Sequence, residues 1–224
     1  MTRDARIVVA IDGPAAAGKS STAEQVARRV GFRHVDSGSL YRAATAARIR
    51  AGGEGGAWTE SSVLESAANV GLRPTEVSFE PTLDGASAEE EIRGAPVTRH
   101  VSLVAQMPAV REWVNDRVRE AALDHDVVVD GRDMGTVVFP DAKVKIFLIA
   151  DTWERGRRRI RQRTGREGTR DEVAAEVERI VHRDEQDATQ SAPAPDAVLV
   201  DTTHISQAEQ VERIVALIRA AIGH

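Results

Sequence analysis

Gly13-Pro14-Ala15-Ala16-Ala17-Gly18-Lys19-Ser20 is a full match to the phosphate-binding pattern G-x-x-x-x-G-K-[ST]. The apolar run Ile7-Val8-Val9-Ala10-Ile11 before it suits a buried strand, and Ser20 to Val30 after it suits a helix, the context that pattern requires. A strand that turns into a helix through small residues points successive backbone N–H groups inward around an anion, and the helix start adds unpaired N–H groups and a positive dipole end. Gly13 and Gly18 can take backbone angles closed to other residues. The stretch therefore predicts a nucleoside-triphosphate site running from Gly13 through Ser21. Lys19 is expected to reach the β- and γ-phosphates, and the Ser20 hydroxyl a Mg²⁺ ion bridging them.

At 224 residues the chain is long enough for one large domain or one domain with insertions. A net charge of −5 argues against a general nucleic-acid or membrane-surface binder, so arginine clusters have to be read locally. The absence of cysteine excludes disulfides and thiolate metal sites. Arg3, Asp4 and Arg6 precede an apolar run too short for a signal-peptide core, and no later run approaches membrane-spanning length. A cytoplasmic protein is expected.

Outward from the loop, strands and helices alternate, which predicts an α/β fold on a parallel sheet. Phe32 to Val35 reads as a strand that empties into Asp36-Ser37-Gly38-Ser39-Leu40-Tyr41-Arg42, at the sheet edge where ligands bind. There Arg42 would grip a second phosphate, Ser37 donate to it and Tyr41 line the pocket; the competing reading is a turn with Asp36 as a cap. A helix over Ala43 to Arg50, a break at Gly52 to Gly56, a capped helix start at Ser62-Val63-Leu64-Glu65 and short antiparallel strands over Thr75 to Leu83 with an Asp84-Gly85 turn suggest a small insertion. Helical spacing follows from His100 to Val114, interrupted at Pro108.

Val127-Val128-Val129-Asp130 is a second buried strand, ending in an acid where a phosphate-loop enzyme places its metal-orienting carboxylate. Gly131-Arg132-Asp133-Met134-Gly135 then presents a cation and an anion at the same edge, or a buried Arg–Asp ion pair. Lys143 to Ala150 is a third strand, leading into the arginine-dense run Glu154 to Arg163. Such runs are often solvated or bind nucleic acid; beside a triphosphate site in an acidic chain, a lid carrying Arg155, Arg158 and Arg159 over the phosphates is the better reading, with Gly165 and Gly168 freeing its tip. Asp171 is read as the cap of a helix that delivers Arg183, Asp184 and Asp187. Ala197 to Asp201 is a last strand, and Ser206-Gln207-Ala208-Glu209 a capping box opening a helix through Ile222.

Together Ile11 to Ser20, Asp36-Ser37-Gly38 with Tyr41-Arg42, Glu91-Ile92-Arg93, Val110-Arg111-Glu112 and Gly131 to Pro140 resemble the bacterial cytidylate kinases, nearly end to end. The resemblance implies a five-stranded parallel core (about 1–36, 103–152 and 172–224), a monophosphate-binding insertion (about 37–102) and a short lid (about 153–171). It implies ATP-dependent phosphorylation of CMP or dCMP with Mg²⁺, held at Ser20 and, through water, Asp130. Ser102, Arg111 and Asp133 would read the base; Ser37, Gly38, Tyr41, Arg42, Arg132 and Arg183 would form the acceptor site, and Asp187 would meet the ribose. Lys19, Arg132 and the three lid arginines would be the catalytic groups. Expected partners are the two nucleotides, with no nucleic acid and no membrane, and the chain is expected to be a monomer. Gln190 stands where the family pattern R-D-x-x-D-x-x-R has its second arginine, which leaves another or a modified monophosphate as an alternative acceptor. A nucleotide-holding switch and an RNA surface at the arginine run are rival readings.

Overall fold

The computed structural model describes residues 6–52, 58–188 and 191–223; Gln190 and the glycines at 53, 55 and 56 lie outside them. β1 (Val8–Asp12) runs through the phosphate loop into α1 (Lys19–Val30), and β2 (Arg33–Asp36) runs directly into α2 (Ser37–Arg50). Next come α3 (Glu60–Ser66), the antiparallel β3 (Val70–Pro74), β4 (Phe79–Leu83) and β5 (Ala86–Ser87), and α4 (Glu89–Ile92). α5 (Ala95–Ala105) and α6 (Pro108–Ala121) lead to β6 (Val127–Asp130). A π-helical turn at Met134–Val138 separates β6 from β7 (Val144–Ile149). α7 (Thr152–Thr164) and α8 (Arg170–Asp187) pack against each other, and β8 (Val198–Asp201) and α9 (Gln207–Ile222) follow.

The main sheet has the order β2-β6-β1-β7-β8 with every pairing parallel. From β1 the chain goes out to β2 on one side and returns later to β7 on the other, so the crevice beyond the carboxyl ends of β1 and its neighbours lies at a switch point. The register brings acids together there: Asp36 on β2 is level with Asp130 on β6, and Asp130 with Ile11 on β1, one residue before Asp12.

The strands read as unbroken apolar runs because both faces of the sheet are covered. Val9, Ile11, Val128, Ile146 and Leu148 pack toward α1 and α9, against Val26, Ile214 and Ile218. Ala10, Val127 and Val129 point the other way, toward Leu40, Val110 and Val114. α2 is enclosed by β6 of the sheet and by α3, α5, α6 and the antiparallel strands β3 and β4, which is why Ala43, Ala44, Ala46 and Ala47 are all buried.

Several expected boundaries shift, each for a local reason. α2 begins at Ser37, not Ala43, because the Asp36 side chain accepts from the Ser39 backbone N–H and caps it. Capping boxes start α3 and α8 at Thr59 and Thr169, with Ser62 and Glu172 as their partners, so neither Ser62 nor Asp171 is the cap. The box at Ser206 and Glu209 stands as expected, and Pro108 is a true boundary, since it begins α6. The antiparallel strands begin at Val70 rather than Thr75. Gly165 ends α7, but Gly168 gives no loose tip: a Cβ there would stand 2.8 Å from Ile160 Cδ1, so close packing explains it.

Candidate active site

The phosphate loop is held by its neighbours as much as by its own sequence. Gly13 sits at φ +149°, and a Cβ on it would lie 2.4 Å from the Leu148 carbonyl oxygen on β7. Gly18 is left-handed at φ +89° and precedes the first turn of α1. Lys19 is buried, and its Nζ donates to the Pro14 carbonyl at 2.8 Å, across its own loop.

Five cations gather at this end of the sheet. Burial lowers the Lys19 pKa well below its usual value, and the charges of Arg132 and Arg183 lower it further. Arg183 is pushed down to about 10, first by burial and then by Arg132, against the opposing pull of Asp187 and with added repulsion from Arg159 and Arg42. Arg42 is lowered by burial and by Arg159. Arg132 Nε donates to Asp187 at 3.0 Å and its Nη1 to the Gly13 carbonyl at 3.0 Å, tying β6, α8 and the phosphate loop together. Arg183 Nε is buried without a hydrogen-bond partner among the described residues. Cations packed until they depress one another mark a place where anionic charge is meant to bind.

Beside them, Asp133 accepts from Arg111 Nη2. Burial raises the Asp133 pKa even against Arg111. The ion pair expected within the Gly131–Gly135 turn does not form: Asp133 pairs with Arg111 and Arg132 with Asp187, and the Arg111–Asp133 pair can present a paired donor and acceptor to a base edge. Tyr41 lies near both, its hydroxyl pushed up to about 12 chiefly by burial. Arg42 is supported by the Ile92 carbonyl and Thr98 Oγ1, both at 3.2 Å. Ser37 Oγ donates to the Asp130 carbonyl at 2.7 Å, Gly38 follows it at the start of α2, and Ser102 is half-buried on α5.

The three arginines of the expected lid separate. Arg155 is buried, and its Nη1 donates to the Ala15 carbonyl at 3.0 Å and to Asp184 at 2.6 Å. Asp184 in turn accepts from the Ala15 N–H at 3.2 Å, so both ends of one phosphate-loop residue are clamped. Arg158 is spent on Glu154 and on the hydroxyl and carbonyl of Thr202. Arg159 is the one of the three whose charge reaches Arg42 and Arg183. Farther along, Arg157 and Arg161 pair with Glu167, Arg163 with Glu176 and Arg166 with Glu172. Acids interleave with that basic run, which weakens its reading as an RNA surface.

Sequence reasoning missed Asp12 and His34, and named Asp184 without its clamp on the phosphate loop. Asp12 is buried and accepts from the backbone N–H groups of Met134 (2.9 Å) and Gly135 (2.8 Å), which sets the turn after β6; burial raises its pKa to about 6 despite those bonds. A lone acid ending an apolar strand was the available signal. For the contact of Asp184 with Ala15 there was no signal, and for His34 none at all.

Asp130 accepts from Ser20 Oγ through Oδ2 at 2.7 Å and meets His34 Nε2 through Oδ1 at 2.7 Å. Burial pulls the His34 pKa down, but the hydrogen bond and charge of Asp130, with Asp36 and Glu24, outweigh it and leave it raised. Asp36 is pushed up to about 6, first by burial and then by Asp130. The Ser20 hydroxyl beside a carboxylate is a hard-oxygen pair of the kind Mg²⁺ takes along with water and phosphate oxygens.

The cytidylate kinase family model matches residues 9–220. The cytidylate kinase of Geobacillus kaustophilus is 41% identical over 97% of this chain and 99% of its own length, and that of Nocardia farcinica 39% identical over 100% and 98%. Among solved structures, shikimate kinase from Bacteroides thetaiotaomicron shares the fold at 13% identity, with a TM-score of 0.52 over 97% of this chain and 99% of that one. With the family model spanning nearly the whole chain and relatives at this identity matched over almost all of theirs, this chain belongs to the cytidylate kinase family.

Proposed function

We propose that the protein transfers the γ-phosphoryl group of ATP to CMP or dCMP, giving ADP and CDP or dCDP. The convergence of Lys19, Arg42, Arg132, Arg159 and Arg183 at the carboxyl ends of the strands carries this reading. A single nucleotide needs no such number; two phosphate chains meeting end to end do.

In this reading ATP lies in the phosphate loop, from Gly13 to Ser21, with Lys19 leaving the Pro14 carbonyl for the β- and γ-phosphates. CMP lies over α2 and α5, its phosphate between Arg42, Arg132 and Arg183 and its base against Ser102, Arg111 and Asp133, with Tyr41 along the pocket and Asp187 at the ribose. An acceptor phosphate oxygen attacks the γ-phosphorus in line, the bond to the β-phosphate oxygen breaks, and ADP leaves. Positioning and fixed positive charge lower the barrier, since no covalent intermediate is needed. Ser20 and, through water, Asp130 would hold the Mg²⁺ of the nucleotide, which would supply positive charge against the phosphate oxygens. Arg159 would add charge at the transferred group; Arg155 and Arg158 would have to leave Asp184 and Thr202 to do so.

A coupled ADP-release assay with ATP, Mg²⁺ and each nucleoside monophosphate in turn tests the reading. CMP and dCMP should be turned over far faster than AMP or UMP. Hydrolysis of ATP at a rate indifferent to CMP would refute it, and preference for another monophosphate would move the acceptor.

A further inference from the structure

We propose that His34 is a positioning residue for phosphoryl transfer: its imidazole Nε2 fixes the Asp130 carboxylate in the plane that turns the other oxygen to Ser20, at the metal end of the nucleotide site. The inference rests on the reading of Ser20 and Asp130 given above.

The terminal torsion of an aspartate is broad and roughly two-fold, so a carboxylate held at one oxygen can still turn. Asp130 is held at both, by His34 Nε2 on Oδ1 and Ser20 Oγ on Oδ2, each at 2.7 Å, while Ser37 Oγ holds its backbone carbonyl. Metal-site carboxylates are commonly oriented by an outer partner of this kind. His34 reaches Asp130 because Asp36, two residues on along β2, is level with Asp130 on β6, so all three side chains share a face. The ring has a fixed base: the His34 backbone N–H donates to the Val77 carbonyl at 3.0 Å, in the connection between β3 and β4. Both His34 and Asp130 are buried, so no water replaces a lost bond at Oδ1 without rearrangement.

Three substitutions separate positioning from packing. His34→Gln keeps a donor at about the reach of Nε2, His34→Asn keeps the donor but is one methylene short, and His34→Leu has none. In the coupled assay the Mg²⁺ concentration for half-maximal rate should rise about 10-fold in the Asn and Leu variants. The Gln variant should stay within about 3-fold of wild type, and half-saturation by CMP should stay constant throughout. Without turnover, Mn²⁺ binding to the protein–ADP complex, followed by electron paramagnetic resonance, should weaken in the same order. If the Leu variant does not fold, the Gln and Asn pair decides. Wild-type Mg²⁺ and Mn²⁺ dependence in folded Asn or Leu variants, alongside a clear defect in Asp130→Asn, overturns the role of His34 alone. An Asp130→Asn variant with wild-type metal dependence overturns the site reading and this inference with it.

Discussion

Gly13→Ala isolates the contact on which the phosphate loop depends. An added Cβ would lie 2.4 Å from the Leu148 carbonyl oxygen, where ordinary contact begins at about 3.5 Å. Leu148 is backbone in a strand paired on both sides, with β1 and with β8, so it cannot yield, and the loop must move by about 1 Å. A displacement of that size near reacting groups costs about 10²-fold in rate. Holding alanine at φ +149° adds about 2 kcal/mol of strain, which in a chain of this length lowers the melting temperature by about 6 °C. Gly18→Ala is the matched control: its φ is +89°, yet a Cβ there meets nothing closer than 4.0 Å, so it carries strain without collision. Coupled ADP release with ATP and CMP, with circular-dichroism melting of both variants, should show kcat/KM falling about 100-fold in Gly13→Ala and much less in Gly18→Ala. A Gly13→Ala enzyme within about 3-fold of wild type, or one losing no more rate than Gly18→Ala, would refute the reasoning.

Other substitutions address the charges. Lys19→Ala should cut CDP formation by at least about 10²-fold while the melting temperature holds or rises, since removing a cation disfavoured by burial and by Arg132 outweighs losing the attraction of Asp130 and Asp12; near-normal turnover would count against the site. Asp133→Asn should raise the KM for CMP by about 10-fold and leave that for ATP alone, whereas Arg111→Ala, which strands a buried carboxylate, should cost about 3–5 kcal/mol in a denaturant titration. Asp12 carries a pH signature. Its carboxyl is raised from 3.8 to about 6, so the folded protein binds the proton more tightly, and the associated stability is present below pH 3.8 and lost as pH climbs through 6. At about 1.4 kcal/mol per pH unit that is about 3 kcal/mol, and Asp12→Asn should compare better with wild type at pH 7 than at pH 4 by that amount; a pH-independent difference would show that Asp12 does not titrate this way.

The sequence by itself determined the class of fold and the phosphate loop around which the candidate site is built. G-x-x-x-x-G-K-S between an apolar run and a helix is a local signal, because neighbouring residues make the anion cradle. The same holds for Val127 to Asp130, Lys143 to Ala150 and the Ser206 capping box, whose periodicity or capping chemistry is complete within a few residues. Boundaries drifted where a cap sat a few residues upstream of the segment it opens, as at Asp36, Thr59 and Thr169.

Tertiary structure alone decided who meets whom across long separations. Asp184 and Arg155 close on Ala15 from 169 and 140 residues away, and His34 reaches Asp130 across 96. None of these contacts leaves a pattern in a single sequence, since the spacing within a helix, strand or loop says nothing about which distant residue it will meet. The fates of the arginines of the expected lid were equally hidden: Arg155, Arg158 and Arg159 lie within five consecutive residues of one helix, and its packing sends the first to the phosphate loop, the second to Thr202 and the third toward Arg42 and Arg183. Spacing fixes which residues share a helix, but only packing fixes which way that helix faces.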